Sequence, residues 1–289
     1  MLLEACAKIN WSLDITGVRE DGYHLMDMLM QPVSLADTVR LLPAEELNLI
    51  TAGDPLLRAD ERHLALRAAR LLREETGCRA GAEITVWKRI PVGAGMGGGS
   101  ADAAAVLVGL NRLWGTGLSG TELEALGLRL GADVPFCIRG GLTRTRGIGE
   151  QLENCPCGRL FSLLVIQPCR GLSTRDVFRL WKEDAGQRRP DTANAARALA
   201  EGDISLLQRS LGNVLQNVSV TLRPEIGRAI QKLREAGADL ALMTGSGSAV
   251  FGVFRTPARA RAAFVSLSSV WRKTFLCRTQ TESIILHEE

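Results

Sequence analysis

The chain has 289 residues, 46% of them hydrophobic, and a formal charge of +3 from 35 basic and 32 acidic residues. That length holds one large domain or two ordinary ones with a substantial core, and the scattered charges form no block that would mark a nucleic-acid or membrane surface, though they suit an anionic small molecule. Glu4 and Lys8 break the apolar N-terminus, which argues against a signal peptide or membrane anchor, and seven irregularly spaced cysteines, with Cys155-Pro-Cys157 too tight for a zinc pair, predict reduced, non-catalytic thiols in a cytoplasmic protein.

In chain order, Leu3 to Thr16 alternates loosely between apolar and polar residues and Asp21-Gly22 supplies a turn, which predicts a strand and a tight reversal with Lys8 and Asn10 on one strand face. Apolar residues recurring from Arg62 to Thr76, with Gly77 behind them, predict an amphipathic helix, and Ile84 to Trp87 a buried strand. That strand runs through Pro91 into a glycine loop, and Ala101 to Trp114 predicts a helix capped by Ser100. A further helix covers Thr121 to Leu130, and Asp133 precedes Val134-Pro135, the opening of another helical turn. Glycines at 140, 141 and 147 turn the chain repeatedly, and Cys155 to Gly158 is the candidate boundary between domains of residues 1–157 and 158–289. Beyond it, Phe161 to Ile166, Leu240 to Met243 and Ala249 to Phe254 predict strands, and Thr174 to Lys182 and Arg223 to Glu235 helices, before a last helix and strand. Short strands alternating with helices, without an internal repeat, predict an α+β fold.

Glycines 93, 95, 97, 98 and 99 remove side chains where a backbone must wrap an anion, and the helix that follows offers unsatisfied N–H groups and a positive dipole end. The Ser100 hydroxyl can contact a phosphate or a phosphate-bound metal. Taken alone the loop supports only phosphate binding, because Gly93-x-Gly95-x-x-Gly98 also fits the loose dinucleotide pattern, and glycine loops can be purely structural. No Gly-Lys-Ser/Thr follows, which disfavours a P-loop, and a dinucleotide fingerprint belongs to the first βα unit, with an acidic partner roughly 20 residues on.

The segment Pro91-Val92-Gly93-Ala94-Gly95-Met96-Gly97-Gly98-Gly99-Ser100-Ala101-Asp102-Ala103-Ala104 resembles the ATP-binding motif of the GHMP kinases, the family of galactokinase, homoserine kinase and mevalonate kinase. Ala7-Lys8-Ile9-Asn10 resembles the first motif of that family, and Met243-Thr244-Gly245-Ser246-Gly247-Ser248 its third, a glycine turn beside the phosphates. Asp21-Gly22-Tyr23-His24 and Leu130-Gly131-Ala132-Asp133-Val134-Pro135 resemble the branch that phosphorylates a cytidine-diphosphate-linked sugar alcohol for isoprenoid synthesis. The resemblance implies an N-terminal ATP-binding domain, a smaller ferredoxin-like C-terminal domain, an active site between them, ATP as co-substrate and Mg2+ as counter-ion, its ligands unassigned. The implied reaction moves the γ-phosphoryl group to a tertiary 2-hydroxyl.

In that reading Asp133 is the general base and Lys8 stabilises charge on the phosphoryl group and on Asp133, whereas without it Asp133 is a helix cap and Lys8 a solvated lysine. Asn10 binds substrate or orients Lys8. Tyr23 and His24 recognise the cytosine, with Phe178 on its other face near Thr174, although His24 alone would more often be structural, and Phe178 and Trp181 also fit a core pair on an amphipathic helix, the role favoured for Trp181. Two departures stand out: His63 replaces an Asn that contacts the nucleotide base, keeping or losing that contact, and Ser248 replaces a turn proline, leaving that loop less rigid. Another small-alcohol kinase of the homoserine or mevalonate type, and a non-catalytic nucleotide binder, remain open alternatives.

Overall fold

The computed structural model describes residues 1–53, 59–184 and 187–287. In chain order the elements are β1 (Leu2–Val18), β2 (His24–Ala44), β3 (Leu47–Ala52), α1 (Leu64–Thr76), β4 (Gly81–Trp87), α2 (Gly98–Leu113), α3 (Gly120–Leu128), α4 (Val134–Arg139), β5 (Leu142–Gly147), β6 (Gln151–Cys155), β7 (Ser162–Ile166) and α5 (Thr174–Leu180). They continue with α6 (Thr192–Glu201), α7 (Ile204–Ser210), β8 (Gly212–Asn213), α8 (Gln216–Leu222), α9 (Pro224–Glu235), β9 (Leu240–Met243), β10 (Val250–Phe254), α10 (Pro257–Ser268), β11 (Thr274–Arg278) and β12 (Ile284–His287).

The first, eight-stranded sheet follows the order β12-β1-β2-β4-β3, with β5 and β6 attached beside β2 and β8 beside β1. The length of β2 makes this possible: residues 26–30 pair with β5 and residues 38–44 with β4, while β1 runs antiparallel along most of its other side. The helix α2 lies against β1 and β2, flanked by α1, α3 and α4. Its run of buried small residues, Ala101 to Ala105 interrupted by Asp102, lets backbone approach sheet closely.

The second sheet has the order β11-β7-β10-β9 and is antiparallel throughout. With α9 and α10 packed against it, this is the β-α-β-β-α-β arrangement of a ferredoxin-like domain. The 157/158 division falls between β6 and β7, yet β8 and β12 return from beyond it to the first sheet. Trp11 of β1 joins the two halves: its ring meets Phe161 and Phe251 edge-on at 5.6 and 5.7 Å, and its indole N–H donates to Gln31 Oε1 at 2.9 Å. Each such aromatic pair contributes about 0.5–1.5 kcal/mol beyond its buried area. No helix among the described residues is long and apolar enough to cross a membrane, and all seven cysteines are free.

Candidate active site

A cavity of about 560 Å³ is lined by β1, the loop before α2, the residue preceding α4, α5 and the β9–β10 turn. Every residue from Pro91 to Ser100 lines it, while Ala101 is buried behind, packed in the α2 core. The helix begins earlier than the sequence predicts: Gly97 is the N-cap, in the left-handed region at φ +70°, so Ser100 sits in the first turn and does not cap it. A side chain at 97 would suffer twice, from that backbone conformation and from Lys8 Cγ, 3.1 Å from the position of a Cβ. At Gly95 the Thr244 carbonyl would lie 2.4 Å from a Cβ, so the two glycine turns touch backbone to backbone.

Several bonds hold the loop in place. The Lys8 amide donates to the Met96 carbonyl at 3.0 Å, the Ala249 amide to Ala94 O at 3.0 Å, and Gln167 Nε2 to Val92 O at 3.1 Å. The replacement at Ser248 does not leave its turn unsupported: the side chain is buried and its hydroxyl donates to Cys169 O at 3.0 Å. Gly245 and Ser246 line the cavity, whereas Gly247 is buried beneath them with its amide bonded to Thr244 O.

Lys8 is buried, and its ammonium donates to Asn10 Oδ1 at 2.6 Å and stands 3.8 Å from Asp133 Oδ2. Asn10 is itself held by Thr244, whose Oγ1 accepts from the Asn10 amide at 3.0 Å, and its Nδ2 donates to Met28 Sδ at 3.4 Å. Asn10 therefore orients Lys8, and Thr244 orients Asn10. Asp133 occupies the N-cap position of α4 but makes no side-chain capping bond. Its carboxylate instead points toward Lys8 and the cavity, free to act on a substrate group.

At another end of the cavity His63 is the N-cap of α1, its Nδ1 accepting from the Ala65 amide at 3.2 Å. Burial and nearby Lys88 lower its pKa, which favours the neutral ring, and acceptance at Nδ1 leaves the proton of that ring on Nε2. Beside it lies a charge cluster that the sequence reading missed. Lys88 Nζ contacts Asp37 Oδ2 and donates to Asp102 Oδ2 at 2.6 Å, and Asp37 Oδ1 accepts the amides of Arg89 and Ile90 at 2.5 and 2.8 Å. Burial, opposed by Lys88 and reinforced by Asp37, pushes the Asp102 carboxyl up to about 7. Asp102 Oδ1 is buried without a partner. An acid in an otherwise alanine-rich helix was the available signal, because an unpaired charge there is costly.

The residues expected to recognise the cytosine are distributed differently from one another. Thr174 and Phe178 line the cavity, and Thr174 Oγ1 shares a hydrogen bond of 2.9 Å with Ser246 Oγ. His24 lies outside the lining, with its ring 5.2 Å from Phe178 and 6.0 Å from Trp181, which is half-buried at the end of α5. Tyr23 is 62% exposed in the β1–β2 turn and, like His24, does not line the cavity.

Residues 63–141 match the family described as the GHMP kinases N terminal domain and residues 195–273 that described as GHMP kinases C terminal. The chain is 47% identical over 255 residues to the 4-diphosphocytidyl-2-C-methyl-D-erythritol kinase of Symbiobacterium thermophilum, covering 88% of this chain and 90% of that one. It is 39% identical to the enzyme of the same name from Alkaliphilus metalliredigens, covering 96% of each. A crystal structure of 4-(cytidine 5'-diphospho)-2C-methyl-D-erythritol kinase superposes with a TM-score of 0.83 at 35% identity, covering 96% of this chain and 99% of that one.

Proposed function

This chain belongs to the GHMP kinases, in the group of 4-diphosphocytidyl-2-C-methyl-D-erythritol kinases, and from that premise we propose that Asp133 and Lys8 carry its chemistry. It is a kinase that phosphorylates the 2-hydroxyl of 4-diphosphocytidyl-2-C-methyl-D-erythritol, giving the 2-phosphate and ADP in the non-mevalonate route to isoprenoid precursors, with ATP as co-substrate. The observation that carries the assignment is the uncapped Asp133 carboxylate 3.8 Å from the buried Lys8 ammonium, beside a glycine loop that opens a helix.

The loop amides and the α2 N-terminus hold the ATP phosphates. Asp133 takes the proton of the 2-hydroxyl as its oxygen bonds to the γ-phosphorus and the bond to the β-phosphate bridge breaks, releasing ADP. Lys8, fixed by Asn10, neutralises charge on the transferring group. Among the described residues no group of three or more His, Cys, Asp or Glu forms a metal cage. A magnesium ion carried by the phosphates and touched by the Ser100 hydroxyl or one carboxylate fits such a site, and it would supply charge neutralisation.

The cytidine end is assigned to Phe178 and Thr174 on the cavity wall, with His24 against Phe178 and Tyr23 next to it in the β1–β2 turn, and the nucleotide end to His63, whose Nε2–H is a donor for a base. The ATP-binding domain is built on the first sheet, which residues 1–157 form together with β8 and β12, the ferredoxin-like domain is built on β7, β9, β10 and β11 beyond residue 157, and free thiols support a cytoplasmic location. Incubating purified protein with Mg-ATP and the diphosphocytidyl substrate, alongside homoserine and mevalonate, tests this reading. Phosphorylation of the cytidine compound alone is expected, and preference for either of the others overturns it.

A further inference from the structure

The chain between α5 and α6 carries an arginine that reaches back to β1. Arg189 Nε donates to both oxygens of Asp14 at 3.0 and 3.1 Å, and one terminal nitrogen lies 2.9 Å from Asp14 Oδ1 and also donates to the Ile15 carbonyl. The other terminal nitrogen donates to Glu183 Oε1 at 3.1 Å. A planar guanidinium fork suits such a three-way junction, whereas an ammonium cannot span it. Asp14 is mostly buried, so that arm of the junction is better sheltered than an ordinary surface ion pair, whereas the Glu183 arm is exposed.

Its location gives the junction a consequence. In the β1–β2 ladder Ile15 pairs with Met26 and Val18 with His24. Met26 and Phe178 line the cavity, and the ring of His24 touches those of Phe178 and Trp181. Arg189 thus clamps the chain just beyond Trp181 to the strand whose partner carries Met26 and His24. Downstream the chain is anchored without it: Thr192 shares a hydrogen bond with Ser12 at 3.1 Å, and the Val214 amide donates to Leu13 O at 3.0 Å. Gln187 is held as well, its Nε2 donating to Val214 O at 2.8 Å, so loss of Arg189 would break the link from Glu183, two residues beyond Trp181, to β1 while Gln187 and α6 stay docked.

We infer that Arg189 is a positioning residue for the cytidine end of the site, acting through the Phe178, Trp181 and His24 rings. The identity of the ligand rests on the function proposed above, while the clamp rests on the contacts themselves. Titrating wild type, Arg189→Ala and Arg189→Lys with cytidine diphosphate by calorimetry, and measuring KM for both substrates, tests it. In Arg189→Ala the Kd for cytidine diphosphate and the KM for the cytidine substrate should rise about five- to tenfold, with KM for ATP unchanged, and Lys should restore part of the loss. An unchanged Kd in Arg189→Ala, an equal rise in the KM for ATP, or a wild type that does not bind cytidine diphosphate overturns the inference. A wild type that binds cytidine diphosphate but phosphorylates nothing overturns the proposed reaction and leaves the clamp to be judged by Kd alone.

Discussion

Replacing Asp133 by Asn exchanges one oxygen for an amide nitrogen at nearly constant volume, so it isolates the charge and basicity of the carboxylate. If Asp133 served mainly as the N-cap of α4, its loss would cost about 1 kcal/mol of stability. The side chain makes no capping bond, however, and its contact with Lys8 is an ion pair at 3.8 Å with the carboxylate 34% exposed. A pair of that length and exposure contributes less than about 0.5 kcal/mol, so the melting temperature should scarcely move. The rate should respond very differently, because a positioned general base accounts for about 10²–10⁴ in turnover. An ADP-release assay with both substrates saturating, run beside a thermal melt, separates the two roles. Turnover within threefold of wild type would remove Asp133 from the chemistry (about 0.6 kcal/mol on the barrier). Asn can cap as well as Asp, so the cap is tested with Asp133→Ala, which should melt close to wild type; a loss of about 1 kcal/mol or more there would return Asp133 to the role of a cap.

Gly97→Ala places a Cβ at φ +70° and 3.1 Å from Lys8 Cγ; it should cost about 1–3 kcal/mol of stability and weaken ATP binding, both readable from melts with and without nucleotide. Phe178→Ala removes an aromatic wall, and KM for the cytidine substrate should rise about two- to tenfold while KM for ATP holds, so a matching rise in both would deny Phe178 its assigned face. Asp102 gives a pH prediction. Its carboxyl is pushed up to about 7 when folded, so the folded state binds more protons than the unfolded one. Its contribution to stability is therefore largest below about pH 4 and declines as pH rises toward about 7. Asp102→Asn has no such proton to lose, and the melting temperature of wild type minus that of the variant should fall between about pH 5 and about pH 8. A constant difference would mean that Asp102 keeps its ordinary carboxylate behaviour.

The parts of the site legible beforehand are those written in local spacing. Two-residue periodicity put Lys8 and Asn10 on one face of β1, and their 2.6 Å hydrogen bond shows that face. Glycines without side chains marked the loop before α2, and an apolar run marked the helix behind it, because these patterns restrict backbone geometry within a few residues. Even here the helix began at Gly98 and not after Ser100, since a left-handed Gly97 starts the turn earlier than a serine cap would. What the residue order could not state is which distant groups meet. Lys88 and Asp37 are 51 residues apart, and Arg189 and Asp14 175. The long strand β2 and the return of β12 to the first sheet also lay outside the local patterns. Sequence alone thus determined a glycine loop, a lysine, an acid and the family they resemble. Tertiary packing decided that the acid points at the lysine and not into its own helix, because a side chain's partner is set by which surfaces are buried together and not by its neighbours in the chain.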